Sequence, residues 1–304
     1  MTHGISLLKL TSMKIDGATK TYGIIGWPVK HSLSPLFQAD FLLQKGINAA
    51  YLPFAVAPDL LESAMDGLWA IGVEGFNVTV PHKESVFQMV SADRDASLIG
   101  AVNTVKRAEH GWAATNTDWR GFSAVVDGLG FETIGKSALL FGAGGTARAV
   151  LHALAQMELD CVYVCNRNPD RLAAFISFAE ASYAGLKCRA VSWQQEEVST
   201  ACQKSELLIN TTSIGLQAGQ GFPFDLSAGS GVAIDAVYSP DGKTAFTLAA
   251  SASRNAVDGL PMLIAQGAEA FAWWHGCSRP DCSAALTQME QQLGRNALQL
   301  PGWG

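Results

Sequence analysis

The run Leu139-Leu140-Phe141-Gly142-Ala143-Gly144-Gly145-Thr146-Ala147-Arg148-Ala149 leads a short apolar segment into a glycine turn, with helix-forming residues directly behind it. The spacing is G-x-G-x-x-A between a strand and a helix, the fingerprint of a dinucleotide-binding βαβ unit. Gly142 can make the tight turn, and Gly144 lets the backbone approach a pyrophosphate. Ala147 is small enough for the new helix to pack on the strand. The helix start then offers free N–H groups and a partial positive charge to phosphates. Glycines alone carry little weight in a chain with 30 of them among 304 residues. The strand before them and the helix after them supply the weight.

The next strand is read at Cys161-Val162-Tyr163-Val164-Cys165, followed by Asn166-Arg167-Asn168-Pro169-Asp170-Arg171. An NAD site usually places an acidic residue about 20 positions beyond the glycines, where it bonds the ribose 2′-hydroxyl. Here Asn166 takes that place and Arg167 follows it. A carboxylate repels a 2′-phosphate, whereas a guanidinium pairs with it through charge-assisted hydrogen bonds. Arg171, one helical turn on, is placed to join the clamp. A pair of solvated arginines at a helix start is the plain alternative. The pattern favours NADP over NAD.

Before the glycine turn the chain alternates between strand and helix patterns. Strands are expected at Tyr22–Gly26, Ala50–Val56 and Gly75–Val80, and helices at Pro35–Lys45 and Asp59–Ile71. Such alternation predicts a mostly parallel α/β sheet. After Arg120 a second series begins, with strands near Ala138, Val162, Leu207-Leu208-Ile209 and Val232-Ala233-Ile234. Pro261 to Leu300 is helical in character and too short for a domain, so it is expected to pack back onto the first one. The fold class is therefore α/β with two domains and a cleft between them.

Other classes fit less well. A net charge of −6 argues against a nucleic-acid surface, and no apolar run approaches a membrane span. Met1 to Gly17 lacks the layout of a signal peptide and reads as a tail, with Met13 as a possible start. Cys161 and Cys165 lie roughly 13 Å apart along one strand, too far for a disulfide. His275, Cys277 and Cys282 lack a fourth ligand at a usual spacing, and Pro280-Asp281 reads as a helix start, so no metal is expected. Reduced thiols in the cytoplasm follow.

Several polar clusters sit where strands are expected to end, where open α/β sheets place ligands. The first is Lys30-His31-Ser32-Leu33-Ser34-Pro35. Its two serines can point the same way from an extended segment, although Ser34 also suits a plain N-cap before Pro35. The second is Asn77-Val78-Thr79-Val80-Pro81-His82-Lys83, with polar residues alternating along a strand that delivers a lysine. Asn103-Thr104 and Asn116-Thr117-Asp118 complete the set. Lys83 and Asp118 are the one lysine–carboxylate pair within these clusters. A lysine is an ammonium near neutrality and a neighbouring carboxylate favours that form. The pair therefore suits reduction, with Lys83 polarising a ketone and giving it a proton while Asp118 orients the amine. A surface ion pair is the alternative that spacing leaves open.

Taken together, Ser32-Leu33-Ser34-Pro35, Asn77-Val78-Thr79-x-Pro81-x-Lys83, Gly100-Ala101-Val102-Asn103-Thr104, Asn116-Thr117-Asp118, Gly142-Ala143-Gly144-Gly145, Asn166-Arg167, Asn210-Thr211-Thr212-Ser213, Asp235-x-x-Tyr238-x-Pro240 and Gly259-Leu260-Pro261-Met262-Leu263-x-x-Gln266 resemble, in that order, the shikimate dehydrogenase family. The resemblance runs from about residue 22 to 275. It implies NADP-dependent reduction of 3-dehydroshikimate to shikimate in aromatic amino-acid biosynthesis. It implies a substrate-binding α/β domain of residues 1–119 with 254–304, and a Rossmann NADP-binding domain of residues 120–253. By the same resemblance Ser32, Ser34 and Tyr238 hold the substrate carboxylate, and Asn77, Thr79, Asn103 and Gln266 its hydroxyls. Lys83 and Asp118 are the catalytic pair. The cofactor falls to Gly142, Ala143, Gly144, Gly145, Thr146, Ala147, Asn166, Arg167, Asn168, Arg171, Thr211, Thr212, Ser213, Gly259 and Met262. The partner is a small molecule, without nucleic acid or membrane, and the protein is a monomer or homodimer.

The chain departs from the family pattern at a few positions. Asn168 stands where a Thr is common, so one adenosine-phosphate contact is expected to differ. Gln38 and Asp40 replace a common His and Asn, and Pro261 replaces a Met, which is expected to stiffen a loop at the nicotinamide. Quinate- or aminoshikimate-type dehydrogenases are the nearest alternative; two serines at 32 and 34 favour shikimate, since a Thr or Gly there would suit the extra hydroxyl of quinate. A non-catalytic metabolite sensor would be signalled by loss of Lys83 or Asp118, and both are present.

Overall fold

The computed structural model describes residues 15–216, 219–295, 298, 300 and 303. All but the last three residues of the expected N-terminal tail, Met13 included, lie outside these.

Strands β1 (Lys20–Gly26), β2 (Ala49–Ala55), β3 (Gly75–Val78), β4 (Ser91–Ala92), β5 (Thr104–Ala108) and β6 (Gly111–Thr115) form one sheet in the order β2-β1-β3-β5-β6-β4. Helices α1 (Ser34–Lys45) and α2 (Leu61–Ala70) make the crossovers that let β1 run parallel to both β2 and β3. The helix expected from Asp59 is a short 3₁₀ turn, Pro58–Leu60, leading into α2. Two shorter helices, α3 (Lys83–Phe87) and α4 (Arg94–Ile99), follow β3 and β4. The sheet is less parallel than alternation predicts, because β5 pairs antiparallel with both β3 and β6. Only Glu109 and His110 separate β5 from β6, and two residues can close a hairpin but not a parallel crossover.

A linking helix, α5 (Asp118–Gly128), leads to the second sheet. Its strands are β7 (Ser137–Phe141), β8 (Cys161–Cys165), β9 (Cys188–Val191), β10 (Leu207–Asn210), β11 (Gly231–Asp235) and β12 (Arg254–Val257), ordered β12-β11-β10-β7-β8-β9. Every pairing is parallel. Helices α6 (Gly145–Ala155), α7 (Pro169–Ser182), α8 (Gln195–Gln203) and α9 (Ala245–Ala250) connect them. This is the doubly wound order, with its switch point between β7 and β10. Leu139, Leu140 and Phe141 are wholly buried, as a strand covered on both faces requires. The two edge strands were not expected from sequence: β9 and β12 are half-exposed and lack a continuous apolar run. Because β12 hydrogen-bonds to β11, Arg254–Val257 belong to this sheet, although they follow the expected boundary at 253/254. The six cysteines are free.

The last helices, α10 (Leu260–His275) and α11 (Cys282–Leu293), return to the first sheet. One side of α10 gives Leu260, Ile264, Ala268 and Phe271 to a core with Tyr22, Phe37 and Phe41. Phe41 meets Phe37 and Phe271 edge-on, at 5.6 and 5.7 Å between ring centroids. Met262, on another side of α10, joins Phe122 and Val125 of α5 in the core of the second sheet. The crossing of α5 and α10 is tight at Gly121, where a Cβ would lie 2.7 Å from Gln266 Cβ and 2.9 Å from the Gln266 nitrogen and the Met262 carbonyl. Pro261 lies in the first helical turn, not in a loop, so it stiffens a segment that is already helix. Among the described residues no helix is long and apolar enough to cross a membrane.

Candidate active site

The glycine turn leaves β7 at the switch point. Gly142 has φ +115°, a conformation open to glycine, and a Cβ there would strike the Thr211 hydroxyl of the loop after β10. Gly144 is the N-cap of α6 and offers no side-chain cap, so the first N–H groups stay free for an anion. A Cβ on Gly144 would find nothing nearer than Arg171 at 3.9 Å, which leaves room above the turn. Ala147 is wholly buried against the sheet. At the end of β8, Asn166 Nδ2 donates to the Asn168 carbonyl at 2.9 Å, and Asn168 caps α7 by accepting from the Arg171 N–H at 2.9 Å. Arg167 is exposed. A turn with Asn166 in place of a carboxylate and with an exposed guanidinium beside it fits NADP.

Other expected cofactor residues have additional duties. Arg171 lies 3.6 Å from Glu84, so a phosphate clamp would have to draw it off that carboxylate. The Thr211 hydroxyl donates to the Phe141 carbonyl at 2.7 Å and the Thr212 hydroxyl to Asn210 Oδ1 at 2.7 Å, whereas Ser213 is exposed. Gly259 caps α10 where a side chain would strike the Ala236 carbonyl. Met262 is only 6% exposed, so its side chain serves the core.

Across the cleft, the loops after β1 and β3 and the start of β5 converge at one end of the first sheet. Because β5 runs antiparallel to β3, Asn103 precedes its strand yet reaches the same end as Asn77 and Thr79. Lys83 Nζ donates to Asp118 Oδ2 at 2.5 Å, and the two side chains are 11% and 7% exposed. Asp118 is set by its neighbours: its N–H donates to Asn116 Oδ1 at 3.0 Å, and Oδ1 accepts from Asn103 Nδ2 at 2.7 Å. Asn103 Nδ2 also lies 3.0 Å from Gln266 Oε1, while Asn103 Oδ1 accepts from the Thr117 N–H at 2.7 Å. Asn77 donates to the Asn103 carbonyl at 3.0 Å and accepts from the Tyr51 hydroxyl at 2.7 Å. Five of the expected residues therefore share one buried network, which locks their rotamers.

The serine segment is a turn, not the extended strand end expected. Leu33 is helical in φ and ψ and fills the N-cap place, and the Ser34 N–H donates to Ser32 Oγ at 3.3 Å. Ser34 is 2% exposed and makes no cap bond; its hydroxyl instead borders the buried Tyr51 hydroxyl. Burial holds Tyr51 well above the ordinary tyrosine range and also raises Tyr238, so both remain neutral donors. The Tyr238 hydroxyl reaches from the loop after β11 to donate to the His31 carbonyl at 3.2 Å and accept from the Leu33 N–H at 3.3 Å. Thr79 packs its methyl against Gly26. Thr104 and Thr117, members of the expected polar clusters but given no role there, belong to the network, and so does Tyr51, which was not expected. Tyr51 had one sequence signal, a polar tip in the middle of an otherwise apolar strand. The loose His275, Cys277 and Cys282 grouping does not converge, and His275 packs against the Phe271 ring at 4.4 Å. Among the described residues no group of three His, Cys, Asp or Glu is placed to hold a metal.

A sequence family described as the shikimate dehydrogenase substrate binding domain matches residues 24–105. A shikimate dehydrogenase (NADP(+)) of Geobacter metallireducens is 38% identical over 274 residues, which cover 88% of this chain and 95% of that one. The crystal structure of shikimate dehydrogenase from Aquifex aeolicus superposes with a TM-score of 0.79 at 36% identity, covering 93% of this chain and 100% of the other. That of Thermus thermophilus shikimate 5-dehydrogenase in complex with shikimate gives 0.77 at 32%, covering 91% and 100%. With likeness over nearly the whole length, through both sheets and the cleft between them, the chain belongs to the shikimate dehydrogenase family.

Proposed function

We propose that this protein catalyses the reversible, NADP-dependent reduction of 3-dehydroshikimate to shikimate. The observation that carries the reading is the Lys83–Asp118 pair at 2.5 Å, seated where the polar end of the first sheet faces the free helix start beside Gly144. Gly142–Gly145 would hold the pyrophosphate of NADPH and Arg167 its 2′-phosphate; when bound, NADPH would supply the hydride that the carbonyl carbon receives. Lys83, oriented by Asp118, donates a proton to the carbonyl oxygen as that oxygen gains charge, and is reprotonated from water. Asp118 orients the amine and, fixed by Asn103 and Asn116, cannot swing away. Ser32, Ser34 and Tyr238 offer hydroxyl donors to the substrate carboxylate, while Asn77, Thr79 and Gln266 line its hydroxyl side. In this reading residues 1–119 and about 258–304 take the substrate and residues 120–257 the dinucleotide. The protein is a cytoplasmic monomer or homodimer acting on free small molecules, in keeping with its free thiols and its charge of −6.

The test is NADPH oxidation by purified protein with 3-dehydroshikimate, set beside oxidation of shikimate and of quinate with NADP and with NAD. Lys83→Ala should lower kcat by about 10²–10⁴-fold, the usual worth of a general acid, with shikimate affinity changed by less than tenfold. Wild-type protein that fails to oxidise NADPH refutes the reading.

A further inference from the structure

Among the described residues Lys83 Nζ has two protein partners, and they come from opposite sides of the cleft. Asp118 Oδ2 is one; the other is Thr146 Oγ1, at 3.1 Å. Thr146 is the second residue of α6, half-buried at the start of the helix that follows the glycine turn. Its place beside the glycines suggests a contact to the dinucleotide, but its hydroxyl is turned to the proton donor. The approach is close because Gly145 has no side chain: a Cβ there would lie 3.0 Å from Lys83 Cβ and 3.3 Å from Ala101 Cβ.

An ammonium has three N–H groups. Asp118 and Thr146 take two and thereby aim the third at the cleft. The partners differ in what they can do once that third proton has left. A carboxylate only accepts, whereas a hydroxyl both accepts and donates. Toward the ammonium, Thr146 accepts; toward the amine that remains after proton transfer, a turn of the NH₂ group about the Cε–Nζ bond brings the lone pair round to Thr146, whose own O–H can then donate to it. No heavy atom moves between them, only the sense of the hydrogen bond. The threonine is suited to this because a β-branched side chain on a helix has few χ1 states.

We propose that Thr146 is a positioning residue that holds the Lys83 nitrogen in both of its protonation states, tying the proton donor to the helix that seats the dinucleotide. The proposal rests on the reading of Lys83 as the acid, and the experiment separates the two. Thr146→Val keeps the shape and removes the hydroxyl; Thr146→Ser keeps the hydroxyl. Expected are a kcat for dehydroshikimate reduction about tenfold lower in Thr146→Val, KM for NADPH and for dehydroshikimate within twofold of wild type, and recovery to within threefold in Thr146→Ser. A Thr146→Val enzyme with wild-type kcat overturns the proposal. So does a loss confined to the KM for NADPH, which marks Thr146 as a cofactor contact only, or a loss that serine does not restore, which marks packing. Wild-type protein without NADPH oxidation overturns the reading of Lys83 itself.

Discussion

Gly121→Ala offers a prediction whose sign carries the information. Gly121 sits inside α5, where alanine is ordinarily favoured over glycine by about 1 kcal/mol. Judged by propensity alone the substitution should stabilise. The crossing with α10 says otherwise, since the added Cβ would lie 2.7 Å from Gln266 Cβ and 2.9 Å from two backbone atoms of α10. Carbon atoms in good contact sit about 3.5–4.0 Å apart, so the helices must separate by roughly 0.8–1.3 Å at that point. Two of the three atoms struck are backbone, so no side chain can swing aside to relieve the clash. Overpacking of this kind costs about 1–3 kcal/mol; set against the propensity gain of about 1 kcal/mol, the net loss should be up to about 2 kcal/mol. For a chain of this length that is a fall in Tm of up to roughly 3 °C. Gln266 rides on α10 and meets Asn103, which fixes Asp118, so kcat/KM should fall about tenfold as well. At Gly67, inside α2, an added Cβ would meet nothing within 4 Å, and Gly67→Ala should raise Tm by about 1–2 °C. Scanning calorimetry and steady-state kinetics on both variants decide the matter. A Gly121→Ala protein as stable as Gly67→Ala, with wild-type kinetics, refutes the close-crossing argument.

Two further outcomes follow from charge. Arg167→Ala should raise KM for NADPH about 10–100-fold, the worth of a charge-assisted phosphate contact, and leave KM for NADH within twofold; equal effects on both cofactors would place the 2′-phosphate elsewhere. Asp235 is wholly buried, and burial pushes its carboxyl up to about 7, opposed by hydrogen bonds from Thr244, the Val237 N–H and Asn210. A folded-state value above the unfolded one, ~3.9, means that this group's contribution is intact below that unfolded value. The contribution is lost as pH rises through about 7. Its full span is about 4 kcal/mol at most. Thermal unfolding between pH 4 and 8 should therefore decline less steeply in Asp235→Asn than in wild type, and identical slopes would remove Asp235 from the account.

What could be read in the sequence was local. The glycine turn declares itself because strand, turn and helix are neighbours in the chain and each has its own residue chemistry. Ser32, Ser34, Lys83 and Asp118 were legible because polar residues at strand ends stand out against apolar runs. Features set by tertiary pairing were harder to see. β12 carries Arg254 and Asn255 and looks like a loop until β11 supplies its partner. The antiparallel β5 reverses which end of a strand faces the ligand, so Asn103 joins the site from the start of a strand. Tyr51 owes its place in the network to what lies opposite it in space, and Thr146, expected from sequence at the cofactor, instead turns its hydroxyl to Lys83 across the cleft.

The placement of α10 and α11 has a bearing on how the chain is made. The second sheet is drawn from one uninterrupted stretch, Ser137 to Val257. The first sheet ends at Thr115, yet the core beneath it needs Leu260, Ile264, Phe271, Leu286 and Met289. During synthesis the dinucleotide half therefore emerges with its strands complete, while Tyr22, Phe37 and Phe41 wait without the residues that cover them. Exposed apolar surface of that kind invites association with other chains. The half that takes the substrate begins first and is completed last, which makes the final helices a folding requirement for residues made more than two hundred positions earlier.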